Sequence, residues 1–80
     1  MNKEEILNKV IEIIRDEFED DELEITCETT AKDVEGWDSL AHLSIIHELE
    51  CEFNIKFTIG QIQEFKNVGE IVDSIFTYLG

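Results

Sequence analysis

The sequence predicts an all-α fold, with three main helices and one short helix around a single apolar core. Apolar residues recur at steps of three and four in three separate segments, which is the spacing of one helical face. No stretch alternates apolar and polar residues for long, so no sheet is expected. The 80 residues include no proline, which suits helices, and this length predicts one domain spanning residues 1–80.

The first helix is predicted over about residues 3 to 18. Asn2 is the expected N-cap, and Glu5, three residues later, completes a capping box. The run from Asp16 to Glu24 holds seven acids among nine residues, and repulsion between i and i+4 neighbours predicts that the helix ends there. The apolar face consists of Ile6, Val10, Ile13, Ile14 and Phe18.

A loop of roughly twenty residues follows and reaches Trp37. Loops of this length are usually functional or held down by their own side chains. Leu23, Ile25 and Val34 are the expected anchors. The acidic run at its start lacks the ligand spacing of a calcium loop and is interpreted as solvated.

The second helix is predicted from Ser39 to Phe53, followed by a brief extended link. Thr58 with Gln61 forms a capping box for a short third helix that reaches about Phe65. A glycine inside so short a helix predicts a weak and mobile element. The predicted core stripe of the second helix is Leu40, Leu43, Ile46, Leu49 and Phe53, with Ile45 alongside.

The last helix is predicted to start after Asn67, whose side chain caps it while Glu70 closes the box. Its apolar positions continue to the end of the chain. They are Val68, Ile71, Val72, Ile75 and Leu79.

The formal charge of −14, from six basic and twenty acidic residues, restricts the partners. Phosphate binding needs Lys and Arg, so nucleic acid is excluded and an anionic membrane surface is disfavoured. No apolar run is long enough to span a membrane, and the first residues lack a secretory apolar region. We therefore expect a cytoplasmic protein whose partners carry basic patches, with Cys27 and Cys51 reduced and half-buried.

The stretch Gly36-Trp37-Asp38-Ser39-Leu40 places a serine at the start of the second helix. Asp38 is a good N-cap, and Ser39 next to it is then either solvent-exposed filler or an attachment point. A phosphate on that hydroxyl would lie near free backbone N–H groups at the positive end of the helix dipole. Catalysis is not expected, because nothing orients His42 as a base and no nucleophile elbow is present.

The order GWDSL, HLSIIHELECEF and NIKFTIGQIQEFKNVGEIVDSI resembles acyl carrier proteins over nearly the whole chain. The resemblance implies an acyl-carrier-like four-helix bundle with a long loop between its first two helices. It implies that a phosphopantetheinyl transferase attaches 4′-phosphopantetheine to Ser39, and that the arm carries acyl groups as thioesters. Asp38 is similar to the aspartate that helps the transferase place its magnesium, and Leu40 to a leucine shared between core and docking surface.

The resemblance also implies a carrier without catalytic residues, expected as a monomer, that serves fatty-acid, polyketide or related pathways. The expected partners are the transferase and acyl-transferring or acyl-activating enzymes with basic docking patches. From Asp38 to Phe53 there are four acids and no Lys or Arg. The predicted docking residues are Trp37, His42, Leu43, His47, Glu48 and Glu50.

The sequence departs from housekeeping fatty-acid carriers, which usually place acids at the positions of Ala41, Ser44 and Cys51. These departures, with Trp37, favour a specialised carrier, and drift within a housekeeping carrier stays open. His42 and His47 lie ~140° apart around the helix, so no metal site is expected. The alternative function is an acidic interaction module of the same fold that is never modified.

Overall fold

A computed structural model describes residues 1–79 of the chain, and within that range it contains four α-helices and no strand. Helix α1 spans Lys3–Glu17, α2 spans Ser39–Phe53, α3 spans Ile59–Glu64 and α4 spans Val68–Leu79, with a 3-10 helix at Ala31–Asp33. The all-α prediction is confirmed. No helix of the described residues has the length and apolarity to cross a bilayer.

The core lies where α1 packs against α2 and α4. It is built from aliphatic side chains of these three helices and closed by residues of the loops. Ile25 and Val34 are buried and Leu23 is partly buried, which confirms their role as loop anchors. The fully buried side chains include Ile6, Val10, Ile14, Ile45, Ile46, Leu49, Val68, Ile71 and Ile75.

The predicted core stripe of α2 is wrong at its N-terminal end. Leu40 is 79% exposed and Leu43 is 54% exposed, although Ile45, Ile46, Leu49 and Phe53 are buried. A step of three residues turns the helix by about 300°, so repeated steps of three drift by about 60° each. Leu40 is three such steps from Leu49, so it lies on the opposite face of the helix.

The predicted caps are confirmed at α1 and α3. Asn2 and Glu5 exchange bonds of 2.8 and 3.0 Å, and Thr58 and Gln61 exchange bonds of 3.1 and 2.9 Å.

The cap of α4 differs in one bond from the predicted box. The Glu70 N–H donates to Asn67 Oδ1 over 2.9 Å, as expected. The Glu70 carboxylate, however, accepts from Lys66 N, one residue earlier than predicted.

The long loop is joined to the start of α4 by two backbone bonds. Val68 N donates to Thr29 O over 2.9 Å, and Gly69 N donates to Cys27 O over 2.8 Å. A Cβ built on Gly69 would lie 3.0 Å from Cys27 O, so only glycine fits this approach without displacement.

The side chains of Cys27 and Cys51 are exposed, so the expectation that they are half-buried was wrong.

Aromatic residues that flank α3 pack against each other and against Tyr78 of α4. The ring of Phe57 packs edge-on against Phe65 at 5.3 Å and against Tyr78 at 5.8 Å. The Tyr78 hydroxyl donates to Gln61 Oε1 over 3.0 Å. This short helix therefore has tertiary contacts that its sequence alone did not indicate.

Candidate functional site

Ser39 is the first residue of α2, and its side chain is exposed. Asp38 precedes it as the N-cap, in an extended conformation, and Asp38 Oδ1 accepts from Ala41 N over 2.9 Å. The N–H groups of Ser39 and Leu40 belong to the first turn and have no intrahelical partner. The hydroxyl is thus presented beside the positive end of the helix dipole.

The turn before the serine depends on one glycine. Gly36 has a φ of 90°, a conformation that side-chain-bearing residues rarely adopt. Asp38 N donates to Gly36 O over 2.9 Å, and Trp37 N donates to Val34 O over 3.2 Å. This turn directs the indole of Trp37 back toward Phe18, with ring centroids 5.8 Å apart.

His42 connects the loop, α2 and α3 through both of its ring nitrogens. Trp37 Nε1–H donates to His42 Nδ1 over 3.1 Å. Because Nδ1 accepts, the neutral ring carries its proton on Nε2, which donates to the carbonyl oxygen of Ile62 over 3.0 Å. Both nitrogens are engaged, so His42 is not available as a base for Ser39.

An open groove of about 550 Å³ lies next to the serine. Both apolar and polar residues line it, among them Trp37, Leu43 and Gln63. An exposed hydroxyl at the edge of such a groove fits the attachment of a long phosphodiester-linked arm. Its lining residues include Trp37, Ser39, His42, Leu43, Ile62 and Phe65.

The predicted docking residues fall into two groups. Leu43, His47 and Glu48 are exposed on α2. Trp37 and His42 are half-buried and bonded to each other, and the Glu50 carboxylate accepts from Phe57 N over 2.9 Å. The second group therefore has internal contacts to other parts of the fold, whereas in the first group, within residues 1–79, only His47 has a side-chain hydrogen bond, with Cys51 Sγ on the same helix at 3.8 Å.

Sequence reasoning did not find the bond from His42 to Ile62. His42 precedes Ile46 by four residues and Leu49 by seven, which places it on the buried face of α2. That spacing was the available signal. Across residues 1–79, no three His, Cys, Asp or Glu side chains are grouped so that they could hold a metal ion.

Comparison with known proteins gives one consistent result. A family model described as "Phosphopantetheine attachment site" matches residues 8–75. The chain is 36% identical to an acyl carrier protein of Exiguobacterium sibiricum, over 96% of this chain and 98% of that one. It is 34% identical to an acyl carrier protein of Thermotoga maritima, over 99% and 98%.

The same result comes from structure. A solution structure of the holo acyl carrier protein from Geobacter metallireducens superimposes with a TM-score of 0.84. The two chains are 41% identical, over 91% of this chain and 84% of that one.

Proposed function

Since the chain belongs to the acyl carrier protein family, we propose that it carries acyl groups between enzymes on a 4′-phosphopantetheine arm attached to Ser39. As a member of this family it is a carrier and not an enzyme, and phosphopantetheine is its prosthetic group. When bound, that group supplies a thiol that holds acyl groups as thioesters. The protein's own residues present the arm, orient it and select partners.

The observation that carries the assignment to Ser39 is its exposure in the first turn of α2. A modifying enzyme needs access to the hydroxyl, and the new phosphodiester needs stabilisation. The first-turn N–H groups and the helix dipole supply part of that stabilisation. Asp38 places a carboxylate one residue away, where it can help the transferase position its magnesium.

Partner recognition is assigned to the exposed side of α2. Leu40 and Leu43 present an exposed apolar surface next to the attachment point, and His47 and Glu48 follow toward the C-terminal end. The expected partners are a phosphopantetheinyl transferase and acyl-transferring or acyl-activating enzymes with basic patches near their active-site entrances. Contacts that use exposed charges are weak, fast and salt-sensitive, which suits a carrier that visits several enzymes.

The proposed pathway is a specialised one rather than central fatty-acid synthesis. Ala41, Ser44 and Cys51 replace acids that are usual in housekeeping carriers, which favours a specialised acyl, polyketide or amino-acid pathway. We place the protein in the cytoplasm, as a monomer whose residues 1–80 form one carrier domain. The charge of −14 supports partners that are basic proteins rather than nucleic acid.

The test is to isolate the protein from its native host and release any thioester-bound group with hydroxylamine. The carrier role predicts an acyl hydroxamate from the wild type and none from Ser39→Ala. An unmodified Ser39, together with partner binding that is indifferent to Ser39→Ala, would instead support the unmodified interaction module.

A further inference from the structure

We propose that His42 is a latch that closes the gap between α2 and α3, so that this carrier presents short or polar acyl groups at its surface. The inference rests on the proposed function, because it concerns the acyl group that the arm would carry. It is built on three observations: the bonds of His42, the space behind it, and the groove in front of it.

The first observation is that one side chain spans both helices. His42 Nε2 donates to Ile62 O over 3.0 Å, from α2 to α3. The ring cannot rotate freely, because Nδ1 accepts from Trp37 Nε1 over 3.1 Å. A chain that entered the core between these helices at this point would have to break the bond to Ile62.

The second observation is the lack of space behind the latch. The small cavity that His42 lines there, beside Phe65 and Ile71, measures about 20 Å³, enough for about one water molecule. Two core residues of α2 and α4, Ile46 and Ile71, are only 2% and 1% exposed. An apolar chain would therefore have to displace packed aliphatic side chains in addition to breaking the latch.

The third observation is that the space near Ser39 lies outside the core. The groove of about 550 Å³ is open, and Gln63, the ring of His42 and the indole of Trp37 line it beside apolar groups. A long alkyl chain left there keeps much of its surface in water, which forfeits roughly 0.8 kcal/mol for each CH₂ that is not buried. A short or polar acyl group loses little. The acyl groups that fit this site are therefore short or polar ones.

The latch is tested first on the unmodified protein, by amide hydrogen exchange of α3. The amide of Ile62 donates to Thr58 O, and it reports whether α3 opens. His42→Ala should speed its exchange roughly two- to tenfold, as expected for the loss of one hydrogen bond. Trp37→Phe removes the N–H donor but keeps an aromatic ring, and it should give a smaller increase. Cys51→Ala, an exposed change on the same helix, should give none.

The cargo is tested on the modified protein. A phosphopantetheinyl transferase loads butyryl or octanoyl arms from the matching acyl-coenzyme A, and intact mass verifies the loading. In the wild type, hydroxylamine should cleave both thioesters at rates within about twofold, and the amides of Ile46 and Ile71 should not shift. In His42→Ala, octanoyl should be cleaved severalfold more slowly than butyryl.

Severalfold protection of octanoyl in the wild type, with shifts at Ile46 and Ile71, would overturn the latch. Exchange of the Ile62 amide that is unchanged in both His42→Ala and Trp37→Phe would also overturn it, and so would octanoyl cleavage in His42→Ala as fast as butyryl cleavage. Failure to load Ser39 is a different result. It contradicts the proposed function, while the exchange measurement still decides the latch.

Discussion

Oδ1 of Asp38 lies 2.9 Å from the backbone nitrogen of Ala41, so the residue before Ser39 also caps the helix that presents Ser39. The Asp38 side chain thus has two possible roles, which substitutions can separate. Its oxygen satisfies a first-turn amide, and its charge stands next to the attachment point. Asparagine keeps the first property and lacks the second.

Asp38→Ala should lower the free energy of unfolding by about 1 kcal/mol, measured by urea denaturation, because the cap is lost. Asp38→Asn should retain nearly all of that stability. Both variants should be modified more slowly by a phosphopantetheinyl transferase if the carboxylate helps to place magnesium. Modification of Asp38→Asn at the wild-type rate would leave Asp38 with the capping role alone.

The two glycines of α3 and α4 should respond in opposite directions to alanine. A Cβ at Gly60 meets only Thr58 Oγ1, at 3.9 Å, so Gly60→Ala should stabilise the protein by up to about 1 kcal/mol. A Cβ at Gly69 meets the backbone of Cys27 at 3.0 Å, and this backbone is held by its own bond to Gly69. Gly69→Ala should therefore lower the melting temperature, and a rise equal to that of Gly60→Ala would contradict the close packing.

Glu48 and Glu50 are near neighbours on α2 with different surroundings. Glu48 is exposed, so Glu48→Ala should change stability by less than about 0.5 kcal/mol while it lowers kcat/KM of the transferase, most strongly at low salt. Glu50 accepts from Phe57 N, so Glu50→Ala should cost about 1–2 kcal/mol of stability. The docking role of Glu48 fails if kcat/KM is unchanged at every ionic strength.

The charge of −14 should make stability depend on salt. At about 0.01 M salt the screening length is about 30 Å, close to the longest dimension of the molecule, 31 Å. Nearly all the acids then repel one another. Raising NaCl to about 0.1 M shortens this length to about 10 Å and should raise the melting temperature. The double change Asp21→Asn with Glu24→Gln removes two negative charges and should reduce this rise. A wild-type melting temperature that does not change with NaCl would contradict the role of charge repulsion.

The helices could be predicted from the sequence because caps and periodicity are local properties. Asn2 with Glu5 and Thr58 with Gln61 are bonded as their spacing predicts. The start of α2 at Ser39 and the cap formed by Asp38 were also predicted, and the attachment of the arm to Ser39 stays a prediction. The exposure of Leu40 was missed, because a spacing of three residues drifts around the helix and only the positions of α1 and α4 decide which face is buried.

The contact of His42 with Ile62 was beyond local reasoning. It joins residues twenty positions apart, and the acceptor is a backbone carbonyl that no sequence pattern marks. The role of Glu50 was missed for a similar reason, since its partner is the backbone N–H of Phe57. Polar side chains that bond to distant backbone groups require the fold before they can be found.

The central claim is that the hydroxyl of Ser39 carries the arm, and Ser44 offers a matched control as a second exposed serine on α2. Each protein is incubated with an active phosphopantetheinyl transferase and coenzyme A, and its intact mass is measured. Wild type and Ser44→Ala should gain one phosphopantetheinyl group, and Ser39→Ala should gain none. A gain in Ser39→Ala, or no gain in the wild type, would contradict the claim.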